Sequence, residues 1–81
     1  MSTDGLAARV LTLVGGPGNV AQLTHCYSRL RFALHDDAAA DEAALGALPE
    51  VAIVIRQGGQ LHVALRSGVV AVHDELVGLL G

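Results

Sequence analysis

Two short segments of this chain alternate with a period of two, and that period builds a strand with unlike faces. Over residues 28–35, Leu30, Phe32 and Leu34 alternate with Arg29, Arg31, Ala33 and His35. Over residues 61–66, Leu61, Val63 and Leu65 alternate with His62, Ala64 and Arg66. Each segment has one apolar face that must be covered and one polar face that can meet water. Two further strands fit beside them. Residues 51–56 are β-branched and apolar, and Gln57-Gly58-Gly59-Gln60 is the turn of a hairpin leading into residues 61–66. Residues 19–25, with Val20 and Leu23, make a shorter and weaker strand before residues 28–35.

Helical spacing supplies the cover. Leu6, Val10, Leu13 and Val14 fall at i, i+4, i+7 and i+8, with Ser2, Thr3 or Asp4 as the cap and Gly15-Gly16 and Pro17 as the stop. Those glycines do not make a phosphate loop, because no Lys-Ser/Thr pair follows and no strand precedes. Asp41 caps a middle helix that points Leu45 and Leu48 one way and stops at Pro49. Ser67-Gly68 opens a last helix whose apolar stripe is Val69, Val72, His73, Leu76 and Leu80. The expected architecture is α+β: a two-layer sandwich with a four-stranded antiparallel sheet and three helices on one face.

The chain has 81 residues, which suits a single domain over residues 1–81. At 52% hydrophobic residues and a net charge of −3, it is too apolar and too weakly charged to be disordered. A single cysteine excludes an internal disulfide. The longest charge-free run, residues 10–28, is broken by Gly15-Gly16-Pro17-Gly18-Asn19, so no membrane insertion is expected. Asp4 stands where an export signal carries positive charge, so the expected location is cytoplasmic. A mildly acidic chain argues against nucleic acid as a partner.

The charges are sorted by face. Arg29, Arg31 and Arg66, with His35 and His62, fall on the set opposite the apolar one. All eight carboxylates fall in helices, caps or turns. Strand exteriors need polar residues in any case, but a cationic sheet face on an acidic chain also suits an anion or an acidic partner.

Cys26 lies at the tip between the first two strands, with Arg29 and Arg31 close behind. A lone cysteine can be a small buried apolar residue. At an exposed tip beside cations, however, the thiolate is favoured and the thiol becomes a nucleophile. Successive backbone N–H groups at a turn can line a concavity for anionic oxygens, and the Ser28 hydroxyl adds to them. The rival uses fit poorly. Cys26 with His25, His35, His62 and His73 shows no metal-ligand spacing, and His25 adjoins Cys26 without an oriented third group for a Cys–His dyad. His73 reads as a satisfied core histidine.

The run Leu23-Thr24-His25-Cys26-Tyr27-Ser28-Arg29-Leu30-Arg31-Phe32 resembles the phosphocysteine motif, roughly C-x-T-R-L-R, of glucose-family enzyme IIB domains of the bacterial phosphoenolpyruvate-dependent sugar phosphotransferase system. His25 and Phe32 are most similar to its β-glucoside and sucrose branch. Val14-Gly15-Gly16, Asn19-Val20, residues 41–48, Gly59-Gln60-Leu61 and Gly68-Val69-Val70 match the rest of the family pattern. The resemblance implies a phosphoryl carrier that needs no cofactor. Cys26 would accept phosphate from a phosphohistidine of enzyme IIA and donate it to a sugar held by membrane-embedded enzyme IIC. Arg29 and Arg31 would assist transfer, and Tyr27, Ser28 and Arg29 would surround the phosphate. The chain would then work at the inner face of the membrane through enzyme IIC. Three departures stand out: Ser28 replaces the motif threonine, His62 replaces a glutamine, and Arg66 replaces a glycine. His62 and Arg66 are expected on the docking face. The alternative is a regulatory or binding module on the same fold with Cys26 idle.

Overall fold

The computed structural model describes residues 2–81, with side chains from residue 5 onward. The expected cap at Ser2, Thr3 or Asp4 falls outside the described side chains. The elements in chain order are α1 (Ser2–Leu13), β1 (Val20–His25), β2 (Arg29–Leu34), α2 (Glu42–Ala47), β3 (Val51–Gln57), β4 (Gln60–Leu65) and α3 (Val69–Leu80). The strands form one antiparallel sheet in the order β1-β2-β4-β3. The two segments with the clearest alternation therefore lie at its centre.

Parity along the strands decides the two faces. Leu30 and Phe32 of β2 pair with Val63 and Leu61 of β4, and all four are buried against the helices. From the helical layer, Leu6, Ala7, Val10, Leu11 and Val14 of α1 and its end, Leu45 of α2, and Val69, Val72 and Leu76 of α3 close the same core. Leu80 packs at its margin. The fold is thus the expected α+β sandwich, with the opposite sheet face bare of helices.

Local chemistry sets the boundaries. After α1, Gly16 N donates to Leu11 O and Gly15 N to Thr12 O, which is a Schellman closure. The two glycine N–H groups are therefore used in ending the helix. Asn19, buried just before β1, donates from Nδ2 to Val14 O at 2.8 Å and to Asp36 O at 2.9 Å. Its Oδ1 accepts from Asp36 N at 2.8 Å. One side chain thereby joins the end of α1 to the end of β2. A Cβ on Gly15, whose φ is +109°, would stand 2.6 Å from Asn19 Nδ2, so this approach requires glycine. The Asp41 carboxylate caps α2 through Ala44 N. Gly58 and Gly59, both at positive φ, form the two-residue turn between β3 and β4. Arg56 faces the helical layer and pairs with Glu42 and Asp37, which ties β3 to α2.

Candidate active site on the first hairpin

The β1–β2 connection is the three-residue loop Cys26-Tyr27-Ser28. Cys26 N donates to Arg29 O at 2.9 Å and closes the turn. Leu65 N donates to Ser28 O at 2.9 Å, anchoring the loop to the end of β4. On the helix side, His25 Nδ1 donates to Cys26 O at 3.2 Å, and the His25 ring lies 4.5 Å from that of His73 on α3. His73 is half-buried and also bonds Asp74, so it is a margin residue of the core rather than an interior one. The loop is braced from both layers while its side chains stay accessible: Cys26 is half-buried, Ser28 is exposed and Tyr27 is 99% exposed.

The thiol has a specific environment. Burial pushes its pKa up. The backbone N–H of Arg29, the Arg31 guanidinium by hydrogen bond and charge, and the backbone N–H of Ser28 push it down by more in sum. The result is a Cys26 thiol held below its ordinary value of 9.0, with a larger thiolate share at neutral pH. Arg31 Nε is buried and has no hydrogen-bond partner among the described residues. A thiolate favoured by a nearby guanidinium and loop N–H groups is a nucleophile beside donors of the kind that bind the oxygens of a tetrahedral anion.

Arg29 is placed differently. Its side chain runs along the bare sheet face, where Nη1 donates to Gln57 Oε1 at 3.3 Å and approaches His62 Nδ1 at 3.5 Å. Only its backbone N–H is among the groups that lower the thiol pKa. His62, opposite Arg31 in the β2–β4 ladder, is on the expected face. It is only 4% exposed, however, so it offers no surface for docking. Its surroundings are Arg29, Arg31 and Gln60, whose Oε1 lies 3.3 Å from His62 Nε2. Burial, then the charges of Arg31 and Arg29, hold its imidazole below the ordinary value of 6.5.

Arg66 departs from the open-face expectation. β4 ends at Leu65, and the alternation ends with it. Arg66 N donates to Glu50 O and Nε donates to Pro49 O at 2.9 Å. The side chain lines a 560 Å³ cavity with Leu6, Ala71 and Val72 of the helical layer. Two backbone acceptors at the start of β3 outweigh the strand parity. His35 likewise lies just past β2, exposed, with its N–H on Asn19 O.

The loop therefore brings together Cys26, Ser28, Arg31 and the backbone of Arg29, with Tyr27 projecting outward. It does not bring in the Arg29 guanidinium or Arg66. Gln57 and Gln60 are the residues that sequence reasoning passed over as turn residues. Their signal was parity: Gln60 is two residues before His62, and a two-residue turn sets Gln57 opposite Gln60.

The profile of the family described as phosphotransferase system, EIIB, matches residues 8–41, which include the loop. The chain is 40% identical over 77 residues to the "PTS system beta-glucoside-specific EIIBCA component" of Bacillus subtilis, covering 95% of this chain and 13% of that protein. It is 39% identical over 70 residues to the "PTS system sucrose-specific EIIBC component" of Klebsiella pneumoniae, covering 86% of this chain and 15% of that protein. The chain thus spans about a seventh of the length of these relatives. Among solved structures, it is similar to a crystal structure of one domain of the PTS system IIabc component from Clostridium difficile, with a TM-score of 0.78 and 26% identity. That match covers 99% of this chain and 84% of the other. With its fold, its loop and its relatives in agreement, the chain belongs to the EIIB family of the phosphotransferase system.

Proposed function

We propose that residues 1–81 form one phosphoryl-carrier domain of a sugar phosphotransferase system, with Cys26 as the carrier. The Cys26 thiolate attacks the phosphorus of a phosphohistidine on an EIIA partner. The S–P bond forms as the P–N bond breaks, and the electron pair returns to the imidazole. A hydroxyl of a sugar held by a membrane EIIC partner then attacks the same phosphorus. The S–P bond breaks, the thiolate is regenerated and the hydroxyl proton is lost. Transfers of this kind rest on positioning and charge more than on covalent chemistry by the protein.

The observation that carries this reading is the placement of Cys26 on a three-residue loop braced by Cys26 N to Arg29 O and Leu65 N to Ser28 O, where the neighbouring Arg31 charge and loop N–H groups favour the thiolate. The unpartnered Arg31 Nε supports it, because an added phosphoryl oxygen gives that donor an acceptor. The "EIIBC" names of several relatives support an EIIC partner. No helix among the described residues is long and apolar enough to cross a membrane, so membrane association at the inner face would come through EIIC. Tyr27 and Ser28 form the rim of the phosphate site.

The test is incubation with phosphoenolpyruvate, the general relay proteins and an EIIA, followed by intact-mass measurement. A gain of one phosphoryl group, absent in Cys26→Ser, is expected. No gain, or an equal gain in Cys26→Ser, overturns the reading.

A further inference from the structure

The 560 Å³ cavity beside Arg66 takes no part in the proposed transfer, and it has the size of a small-molecule site. It opens between α1, the α2–β3 connection and the β4–α3 connection. Leu6, Ala71 and Val72 give it an apolar wall, and Glu50, Arg66 and Ser67 give it polar groups.

Those polar groups do not satisfy one another. Arg66 Nε donates to Pro49 O, and its Nη groups have no acceptor among the described residues. Arg66 forms no ion pair there either. Glu50 is the converse. Its Oε2 accepts from Arg9 Nη2 at 3.3 Å, while its Oε1 is buried and accepts from nothing among the described residues. A buried carboxylate oxygen without a donor is costly, and a ligand hydroxyl can supply the missing bond. Gly68, in the left-handed conformation, gives α3 no side-chain cap, so the first N–H groups of that helix add to the free donors.

The cavity thus combines unpaired donors around a guanidinium, one unpaired acceptor and an apolar wall. A bare anion uses the first alone. A neutral sugar leaves the guanidinium unmatched. A molecule with an anionic group, hydroxyls and an apolar body uses all three.

We propose that this cavity binds a glycoside phosphate. Arg66, Ser67 and the first N–H groups of α3 take the phosphate, a sugar hydroxyl donates to Glu50 Oε1, and the aglycone lies against Leu6, Ala71 and Val72. The choice of a glycoside phosphate rests on the carrier reading, because a sugar phosphate is what the proposed second transfer releases. The three-part complementarity does not rest on it. The site also adjoins the thiol loop: Leu65 N holds Ser28 O, and the next amide, Arg66 N, holds Glu50 O at 3.0 Å.

The test titrates three probes into the ¹⁵N-labelled chain: inorganic phosphate, glucose 6-phosphate and phenyl β-glucoside 6-phosphate. Amide shifts are expected at Glu50 and over residues 66–72. Affinity should rise roughly tenfold with the added hydroxyls and roughly tenfold again with the phenyl group. Arg66→Gln should weaken all three probes by roughly tenfold. Glu50→Ala should remove the step from phosphate to glucose 6-phosphate without weakening phosphate itself. Both side chains are at least partly exposed, so unchanged spectra away from the cavity will show that the variants fold. Shifts confined to residues 26–31, equal affinity for the three probes, or a Glu50→Ala chain that keeps the hydroxyl step each overturn the proposal. The titration needs no phosphoryl transfer. A chain that loads Cys26 but ignores all three probes removes this proposal alone, and a chain that binds them as expected but never gains phosphate removes the carrier reading alone.

Discussion

Cys26 and Arg29 close the β1–β2 turn: the amide of Cys26 donates to the carbonyl of Arg29 at 2.9 Å, and the Arg29 N–H is among the groups that lower the thiol pKa. The arginine thus serves the cysteine with its backbone and sends its side chain elsewhere, to Gln57 and His62. A motif in which two arginines follow a cysteine suggests that both charges surround the sulfur. The turn divides them.

That division is measurable in the thiol titration. Arg31 lowers the Cys26 pKa through its side chain, and Arg29 does so through its N–H. Arg31→Gln should therefore move the midpoint of pH-dependent alkylation upward, and Arg29→Gln should move it much less. The linkage sign follows: a depressed folded-state value favours the folded chain at high pH and loses that contribution as pH falls through it. Equal shifts in the two variants would place both guanidiniums at the sulfur.

Asn19 should matter for stability and not for chemistry. It makes three hydrogen bonds across the gap between α1 and β2. Each orphaned buried group costs about 1–3 kcal/mol, so Asn19→Ala should lower unfolding free energy by roughly 3 kcal/mol in a urea titration. Gly15→Ala should also destabilise, because its Cβ would press on Asn19 in a left-handed backbone. A loss below about 0.5 kcal/mol in Asn19→Ala, the range of ordinary surface changes, would show that the bridge is dispensable.

Much of this arrangement is legible in the chain itself. Strict alternation through Leu30-Phe32-Leu34 and Leu61-Val63-Leu65 marks the two strands that become the sheet centre, because only a strand with one buried face needs it. Glycines 15 and 16 and Asp41 mark helix ends by their backbone chemistry. Side-chain reach is less legible. Parity puts His62 on the helix-free face, yet it is only 4% exposed, with Arg29 and Arg31 of the neighbouring strand beside it. Parity also fails at Arg66, one residue past the strand end, where the carbonyl of Pro49 redirects the guanidinium. Long flexible side chains choose partners that are distant in sequence, and a period of two carries no information about them.

Acid stability isolates His62. In the unfolded chain it takes a proton near 6.5; in the folded chain it does so only at lower pH. Between those values the unfolded state binds more protons, so stability should fall as pH falls through 6.5 and level off below the folded value. His62→Gln should flatten that stretch of the curve in urea titrations at stepped pH. An unchanged slope would mean that His62 titrates freely.

The carrier role of Cys26 is tested most directly by ³¹P NMR of the loaded chain. After incubation with phosphoenolpyruvate, the relay proteins and EIIA, one resonance of the S–P ester type is expected, absent in Cys26→Ser and lost on addition of EIIC membranes and sugar. A resonance of the N–P type, carried on His25 or His35 and retained in Cys26→Ser, would contradict the assignment of the phosphoryl group to the cysteine.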